Sequence, residues 1–421
     1  MKKILVISWF FPPINSSEGL VTYKLLANSS LSYDVFMQAN SASWSYGKND
    51  NFPEVTNVNK IYAQSDNLDM WVNEGVEYFR KHQKEYDIVM TRSMPPESHQ
   101  IGLEIKKIKP TVKWIASFGD PIANNPFTLK GINKISPYSL ENRYIRKMSV
   151  REMISPMRMI RNSVWKIRME RERKPYEEER KLQKEIIENC DYVILNSDEQ
   201  KEYMCTGYEP KLKEKAVILP HSYDKNLYEK VPRNVIGKTR IVYVGHLDDI
   251  RTPHVFLKAL KKLKSEDIHL ADKLEVVFYG NMSGKEKVYL LDNELLDIVQ
   301  IKKTISYLES LKVMQDADWL LHIDANIQDV LERNIFFAAK LADYIGAGTP
   351  IMGITMTEGP SADILRKMNA LIMSYSVDEI KNYLYLIVNE GYHVDMNEEY
   401  AKEFDAVRVA GKFDKMIEEM K

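Results

Sequence analysis

The chain has 421 residues, more than one ordinary hydrophobic core accommodates, so two domains are expected. Hydrophobic residues make up 44% and charged residues 28%, which is typical of a folded globular protein and excludes a disordered chain. The net charge of -1 gives no general attraction for nucleic acid, and Cys190 and Cys205 lie in no metal-ligand pattern. We therefore expect a reduced, cytoplasmic protein that binds neither nucleic acid nor a metal ion.

In the first half of the chain, strand-like apolar runs alternate with helical stretches, which indicates parallel βαβ units. The first run stops at Pro12-Pro13 without a small-residue cleavage site, so we interpret it as a buried strand and not as a signal peptide. The strands predicted in this half are 3–10, 33–39, 59–64, 86–92, 112–118, 192–197 and 216–221.

A basic helical insertion, at about 130–190, interrupts this alternation. Within it, residues 143–174 contain eleven Lys or Arg against three Glu, a net charge of +8. Their Met and Ile residues recur at helical spacing, which predicts one or two amphipathic helices. Two interpretations stay open: the apolar stripe packs on its own domain, or it lies on an anionic membrane surface.

The strand pattern restarts after a polar stretch, 223–238, which we interpret as the interdomain linker. The strands predicted beyond it are 239–247, 274–280, 299–304, 319–324, 350–355 and 371–376. The predicted fold is therefore α/β, with Rossmann-like domains at 1–222 and 239–395 and a helical segment at 396–421. Ligands of such sheets bind at the carboxyl ends of the strands, so the cleft between the domains is the expected site.

The loop after the first strand has features of an anion site. Ser16 or Ser17 can cap the following helix, and Gly19 would let the backbone approach an anion at the helix N-terminus. An ordinary, well-capped loop would look the same. No Gly-x-Gly-x-x-Gly follows the first strand and no Walker sequence occurs in the chain, which disfavours NAD and ATP as ligands.

The second domain opens in the same way. Gly245 follows a predicted strand, and His246 and Arg251 could neutralise a phosphate before the next helix begins. Arg251 could instead pair with Asp248 or Asp249 on the surface, an interaction that would contribute little.

Three pieces of the sequence together resemble a known family. They are "SWFFPP…SSEGL" near the start, "VGHLDDIRTPHVFLKAL" at the opening of the second domain, and "AAKLADYIGAGTPIM" near the end. In this order they resemble the retaining family 4 glycosyltransferases of the GT-B fold. "TRSMPPESHQIGLEIKK" and "WIASFGDPIANNP" are similar to the branch that builds bacterial surface polysaccharides. The resemblance covers nearly the whole chain outside 130–175. It implies a nucleotide-sugar donor as substrate, a glycan or lipid-linked acceptor, and no cofactor.

In that family the donor lies mainly against the C-terminal domain, and the resemblance implies donor-binding roles at matching positions. Asp343 stands where the family has a glutamate that binds the nucleotide ribose, on a helix expected around 336–346. Lys340 matches the lysine of a Pro-x-Lys-x-x-Glu variant of the same motif. The expected phosphate-facing loops supply Gly19, Gly245, His246 and Arg251.

The sequence departs from the family pattern in several places. The first Glu of Glu-x7-Glu is replaced by Ile335, the second is shortened to Asp343, and Ala338 stands where the lysine variant has Pro. The histidine often found after the fifth strand is absent. We predict that Asp120 takes the place of this histidine and contacts the sugar or the acceptor. A carboxylate before Pro121 could instead serve only to form a turn.

Four further residues are weaker candidates. Glu358 could supply the missing sugar contact, and Gly359 could offer a backbone N–H beside it. Arg92 and His99 lie near "SMPPESH" and are candidates for the acceptor side of the cleft.

We predict a metal-independent glycosyltransferase that moves a sugar with retention to a glycan acceptor, in bacterial surface polysaccharide or glycoconjugate synthesis. Asp120, Arg251 and Lys340 are the predicted catalytic residues. The expected location is the cytoplasm, with 143–174 holding the protein at the inner membrane face. Two alternatives remain: a nucleotide-sugar 2-epimerase, which needs acid and base groups in the cleft, and a degenerate GT-B subunit that supports a partner enzyme.

Overall fold

The computed structural model describes residues 3–14, 16–39, 52–127, 177–205, 211–229, 237–248 and 250–420. The basic segment 143–174 lies outside these residues. The strands, helices and sheets given below belong to the described residues.

The first domain is built on a seven-stranded parallel sheet with the order β3-β2-β1-β4-β5-β6-β7. Its strands are β1 Lys3–Ser8, β2 Tyr33–Met37, β3 Val58–Tyr62, β4 Tyr86–Arg92, β5 Lys113–Ser117, β6 Tyr192–Leu195 and β7 Ala216–Ile218. Every strand predicted in this half is confirmed. β1 is buried at each position after Lys3 and β2 throughout, because helices cover both faces of a parallel sheet.

The second domain has a six-stranded parallel sheet with the order β10-β9-β8-β11-β12-β13. Its strands are β8 Thr239–Val244, β9 Leu274–Tyr279, β10 Val299–Lys302, β11 Trp319–Ile323, β12 Ile351–Ile354 and β13 Leu371–Met373. The strands predicted in this half are also confirmed, and the two-domain α/β fold is as predicted.

Helices pack on both sheets and connect the strands. They are α1 Ser17–Ala27, α2 Leu68–His82, α3 Glu97–Ile108, α4 over 177–189, α5 Asp198–Cys205, α6 Lys211–Lys215, α7 His254–Glu266, α8 Ile268–Ala271, α9 Gly284–Asp292, α10 Tyr307–Gln315, α11 Ala339–Ala347, α12 Pro360–Lys367, α13 Val377–Glu390, α14 Glu398–Ala401 and α15 Ala406–Glu419. Short 3-10 helices lie at Lys225–Leu227 and Lys402–Phe404.

The strand order reverses beside the first strand of each sheet, between β1 and β4 and between β8 and β11. Ligands of open parallel sheets bind outside the carboxyl ends of the strands at such a reversal. The loops that follow β1, β4, β8 and β11 are therefore the expected walls of a binding site.

The last helix, α15, returns from the second domain and packs against α1 of the first. Asp414 of α15 accepts hydrogen bonds from the Ser29 hydroxyl at 2.5 Å and from the Ser30 backbone N–H at 2.8 Å. One apolar cluster also continues across both domains and includes Leu26, Leu341 and Phe413, all buried. The two domains are thus joined by a shared core.

The helix expected at 336–346 begins later, at Ala339, so its predicted start is wrong by three residues. Asn334 is the reason. Its side-chain oxygen accepts the backbone N–H of Phe336 at 3.0 Å, and its amide donates to Asp324 at 2.8 Å, which holds the preceding chain in a turn. The helix stops at Gly348, whose φ of 70° is left-handed and suits a glycine C-cap.

Candidate functional site

A cavity of about 830 Å³ lies between the two domains at the carboxyl ends of their strands. The first domain lines it with Phe10, Ser16, Ser17, Glu18 and Met94. The second domain lines it with residues that include Gly245, His246, Gly280, Thr304, Ser306 and Tyr307. Its volume is within the range of roughly 300–1,000 Å³ that small-molecule sites occupy.

A smaller cavity of about 170 Å³ adjoins the larger one. The two cavities have wall residues in common, namely Ser17, Val244, Gly245, Tyr307 and Ser310. The smaller cavity adds three charged side chains, Lys24, Lys340 and Asp343. The structure therefore brings Lys340 and Asp343, both predicted to bind the donor, to one cavity beside Gly245.

Two glycine loops pack against each other at the wall of the larger cavity. Gly245 and Gly280 have positive φ angles of 125° and 141°, and a Cβ atom on Gly280 would lie 2.2 Å from the Gly245 carbonyl oxygen. Only glycine permits this contact. Both glycines line the larger cavity.

Lys340 lies against the Gly245 loop and is held there by Tyr243. Its Nζ donates to the Tyr243 hydroxyl at 2.5 Å and is 4.1 Å from the centre of that ring. A Cβ atom on Gly245 would be 3.3 Å from this Nζ. Burial, together with the nearby charge of Arg251, lowers the pKa of Lys340 to about 7. A bound anion would restore the charged form of this amine.

Arg251 lies among the ionisable groups of both domains. Its backbone N–H donates to Asp248 at 2.7 Å, and the pair predicted between the two side chains forms at 3.7 Å. The guanidinium packs 5.1 Å from the ring centre of Phe127, and its buried Nε donates no hydrogen bond. Its charge opposes the rise in the pKa of Asp120 in the first domain and of Asp324 in the second. Arg251 therefore has one buried donor without a hydrogen-bond partner, although the residue lines neither of the two cavities.

Asp343 is buried at the wall of the smaller cavity, and its side chain is already engaged. Its Oδ1 accepts from Lys24 Nζ at 2.9 Å and from the Tyr307 hydroxyl at 2.8 Å. Its backbone carbonyl accepts from the Tyr228 hydroxyl at 2.8 Å. Asp343 therefore has a fixed orientation at the wall of the smaller cavity.

We expect Asp343→Asn to weaken nucleoside diphosphate binding about 10- to 100-fold, because a hydrogen bond between a charged carboxylate and a hydroxyl is stronger than a neutral one. Isothermal titration calorimetry measures the effect. The matched control is Asp292→Asn, which removes an exposed carboxylate outside both cavities. Unchanged nucleotide affinity in Asp343→Asn would show that Asp343 does not contact the ribose.

On the first-domain side, Arg92 holds the carboxylate of Glu18. Arg92 Nε and Nη2 both lie 2.8 Å from Glu18 Oε2, and Nη1 donates to the Ser117 hydroxyl at 2.9 Å. A Cβ atom on Gly119 would lie 2.8 Å from both Glu18 oxygens. Glu18 thus lies over the backbone that precedes Asp120. It lines the larger cavity, and the sequence analysis did not identify it, although it stands inside the quoted "SSEGL".

Asp120 lies at the end of β5, close enough to charges on both sides of the cleft for them to affect its ionisation. Burial, and next the charge of Glu18, raise the pKa of Asp120 to about 6, while Arg251 and Arg92 oppose the rise. The charge of Arg251 in the second domain thus acts on the carboxyl group of Asp120 in the first, although neither residue lines the two cavities.

His99 is a core residue, so its predicted place on the acceptor side is wrong. Its side chain is fully buried, its Nδ1 lies 2.6 Å from the Thr91 hydroxyl, and its ring packs 4.7 Å from Phe118. Burial, together with the charge of Arg92, lowers the pKa of His99 to about 3. Arg92 is also buried, and its side chain holds Glu18. The prediction that Arg92 contacts the acceptor is therefore replaced by a supporting role for Glu18.

Gly19 does not line either cavity, although its neighbours Ser16, Ser17 and Glu18 do. Its backbone N–H donates to the Ser16 hydroxyl at 3.2 Å, as part of the predicted helix cap. A Cβ atom at this position would be 3.1 Å from the Phe10 backbone, so the glycine serves close packing. The site at the start of α1 is therefore built from the three residues before Gly19.

Glu358 and Gly359 also lie outside the two cavities. Glu358 is exposed, and its carbonyl accepts the Asn334 backbone N–H at 3.1 Å. Gly359 caps α12 with a φ of 134°, and a Cβ atom there would be 2.7 Å from Asn334 Cβ. Through these contacts with Asn334, Glu358 and Gly359 stabilise the loop before α11.

The part of the chain that the structure describes contains no group of three His, Cys, Asp or Glu side chains arranged to hold a metal ion. None of its helices combines the length and the apolar character needed to cross a lipid bilayer.

Comparison with known protein families finds no matching family, and comparison with curated protein sequences finds no match. Solved structures do match over the whole chain. Sucrose-phosphate synthase from Thermosynechococcus elongatus matches with a TM-score of 0.64 and 13% identity, over 100% of this chain and 99% of that chain. The lipopolysaccharide outer core galactosyltransferase WaaB matches with a TM-score of 0.58 and 12% identity, over 100% of both chains. A UDP-N-acetylglucosamine 2-epimerase matches with a TM-score of 0.55 and 8% identity, over 99% of this chain and 95% of that chain.

At these identities the similarity concerns the fold. The chain has the GT-B fold that was predicted from its sequence, with two Rossmann-like domains on either side of a ligand cleft.

Proposed function

We propose that the protein is a glycosyltransferase that binds a nucleotide-sugar in the interdomain cleft and transfers the sugar, with retention of configuration, to a glycan acceptor. The observation that carries the proposal is the meeting of Lys340 and Asp343 at one small cavity, where the charge of Arg251 also acts on Lys340. Cations and a carboxylate in this arrangement match the diphosphate and the ribose of one ligand. The names of two structural neighbours, a sucrose-phosphate synthase and a galactosyltransferase, support the same class of reaction.

The proposed donor lies mainly against the second domain. Its nucleoside occupies the larger cavity between the Gly280 loop and Thr304, and its ribose faces Asp343. The diphosphate then passes the Gly245 loop, where Lys340 and Arg251 are within reach. This orientation directs the sugar across the cleft, toward the first domain.

In the reaction, the bond between the anomeric carbon and the diphosphate oxygen breaks, and the acceptor hydroxyl oxygen forms the new bond on the same face. The acceptor proton passes to the departing diphosphate. Negative charge grows on the diphosphate, and Lys340 and Arg251 stabilise it in a site that is already oriented. Positive charge grows on the sugar ring, and the carboxylates of Asp120 and Glu18 stabilise it from the first domain.

A 2-epimerase is a second candidate, because Glu18 lines the larger cavity and its carboxylate lies against Gly119, next to Asp120. The pKa of Asp120, raised to about 6 by burial and by Glu18, suits a group that exchanges protons near neutral pH. An epimerase would change the sugar while leaving it on the nucleotide. A transferase would release the nucleoside diphosphate when an acceptor is present.

A panel of nucleotide-sugars with purified protein and a glycan acceptor extract separates the candidates. We expect acceptor-dependent release of nucleoside diphosphate and a product with the anomeric configuration of the donor, read by NMR. A product in which the sugar is changed but is still attached to the nucleotide would establish the epimerase. Binding without turnover or epimerisation would identify a non-catalytic subunit, and an inverted product would refute retention.

We further propose that the reaction belongs to bacterial surface polysaccharide synthesis and takes place at the inner membrane face, where segment 143–174 binds anionic lipid. We expect the protein to co-sediment with phosphatidylglycerol vesicles at low salt and to dissociate as salt rises. Arg158, Arg161, Lys166 and Arg168 changed together to Glu should abolish binding.

The control for this experiment is the same change of charge at four exposed lysines of the second domain, Lys258, Lys261, Lys273 and Lys287. The control variant should still co-sediment with the vesicles. If the wild type ignores anionic vesicles at low salt, membrane attachment through 143–174 is wrong.

A further inference from the structure

Lys24 carries a buried charge that the proposed reaction does not use. It lies on α1 of the first domain, and its side chain is 1% exposed. Its Nζ donates to Asp343 Oδ1 of the second domain at 2.9 Å, and it lies 5.7 Å from the centre of the Tyr307 ring. A lysine is rarely buried in this way unless its charge is paired.

Both hydrogen bonds to the Asp343 carboxylate go to the same oxygen. Lys24 and the Tyr307 hydroxyl donate to Oδ1, at 2.9 and 2.8 Å. Among the described residues, none donates a hydrogen bond to Oδ2. All three side chains line the smaller cavity. The carboxylate is therefore held through Oδ1, while Oδ2 stays open.

We propose that Lys24 is a positioning residue for ribose recognition: it fixes Asp343 through Oδ1, and leaves Oδ2 to accept hydrogen bonds from the ribose hydroxyls. This inference rests on the proposed function of the cavity as the donor site. Because Lys24 and Asp343 belong to different domains, the ribose site is complete only when the two domains are together.

A purely structural role fits the pair less well. The cost of removing two charges from water offsets much of the attraction in a buried ion pair, and apolar residues of similar volume often stabilise a contact equally well. The interface around this pair already has apolar residues, including Leu20 and Leu341. The charged pair is placed at the wall of a cavity, where its orientation matters for a ligand.

The test compares ribonucleotides with their 2′-deoxy forms on each protein. UDP, GDP, ADP and CDP are each titrated against the matching 2′-deoxynucleoside diphosphate by calorimetry. We expect the wild type to bind the preferred ribonucleotide about 10- to 100-fold more tightly than its deoxy form, since a charge-assisted hydrogen bond is lost. In Lys24→Met, which has a side chain of similar length, this ratio should fall toward one. Tyr307→Phe should lower it in part.

The ratio is measured within one protein, so partial loss of folded protein does not change it. Lys106→Met is the matched control, since it removes a lysine that pairs with Asp191 at 2.7 Å within the first domain. The control should keep the wild-type ratio. In an Asp343→Asn background, Lys24→Met should produce no further change, because Lys24 acts through that carboxylate.

An unchanged ratio in Lys24→Met, with both nucleotides weakened equally, would overturn the inference and leave the donor site intact. A wild type that binds none of the four nucleoside diphosphates would overturn the proposed donor site, and this inference with it.

Discussion

Lys340→Met and Arg251→Gln should each lower kcat by about 100- to 1,000-fold, while donor affinity falls far less. The reason is that the charge these side chains meet grows only as the glycosyl–phosphate bond breaks. Tyr243 fixes the Lys340 ammonium against the Gly245 loop, so the stabilising charge is in place before the reaction. Steady-state kinetics with calorimetric donor binding separates the two effects.

The control for this experiment is Arg366→Gln, which removes an exposed arginine of α12. It should leave kcat unchanged. A chelator should also leave the wild-type rate intact, since the proposed mechanism assigns the leaving-group charge to protein cations. Near-normal turnover in both Lys340→Met and Arg251→Gln would show that these cations do not serve the reaction.

Lys340 should also determine how the reaction rate depends on pH. The pKa of Lys340 is lowered to about 7 by burial and by Arg251, so the free protein loses this charge as the pH rises through 7. Because kcat/KM reports the free enzyme, it should decline above about pH 7. Lys340→Arg, whose guanidinium stays protonated, should move the decline to higher pH if it retains activity.

Asp120→Asn should lower kcat by roughly 100- to 10,000-fold, as is typical when a positioned acid–base or charge-stabilising group is lost. The pKa of Asp120 is raised to about 6 by burial and then by Glu18, so the carboxylate is protonated below that pH. The wild-type kcat/KM should therefore rise with pH through about 6. Asp120→Asn should remove this rise.

Glu18→Gln provides a second test of the same carboxyl pair. Without the negative charge of Glu18, the pKa of Asp120 should fall, and the acidic limb of the pH profile should move to lower pH. Asp69→Asn, an exposed carboxylate on α2, is the control and should leave the profile unchanged. An acidic limb that persists in Asp120→Asn would assign it to another group.

The fold could be predicted because many of its strands are buried on both faces. β1, β2 and β11 have nearly every residue in the core, and such strands appear in sequence as continuous apolar runs. The start of α11 could not be located in this way. There, the short-range hydrogen bonds of Asn334 override a pattern that continues as a helix.

The candidate site was predictable where residues follow a strand or match the family motif, as Gly245, Lys340 and Asp343 do. Glu18 and Lys24 were missed because their partners are remote in sequence: 74 positions separate Glu18 from Arg92, and 319 separate Lys24 from Asp343. One signal was present in α1. Ser17, Val21 and Lys24 recur at helical spacing and line the same cavity.

The contact between α15 and α1 has a consequence for engineering. α1 carries Glu18 and Lys24, and Asp414 of α15 holds the turn that follows this helix, through Ser29 and Ser30. A side chain on α15 can therefore alter the tilt of α1 and, with it, the shape of the cavities that α1 lines. Libraries that aim to change which ligand these cavities accept should include α15, since it offers a graded adjustment of the cavities without replacing any residue of their walls.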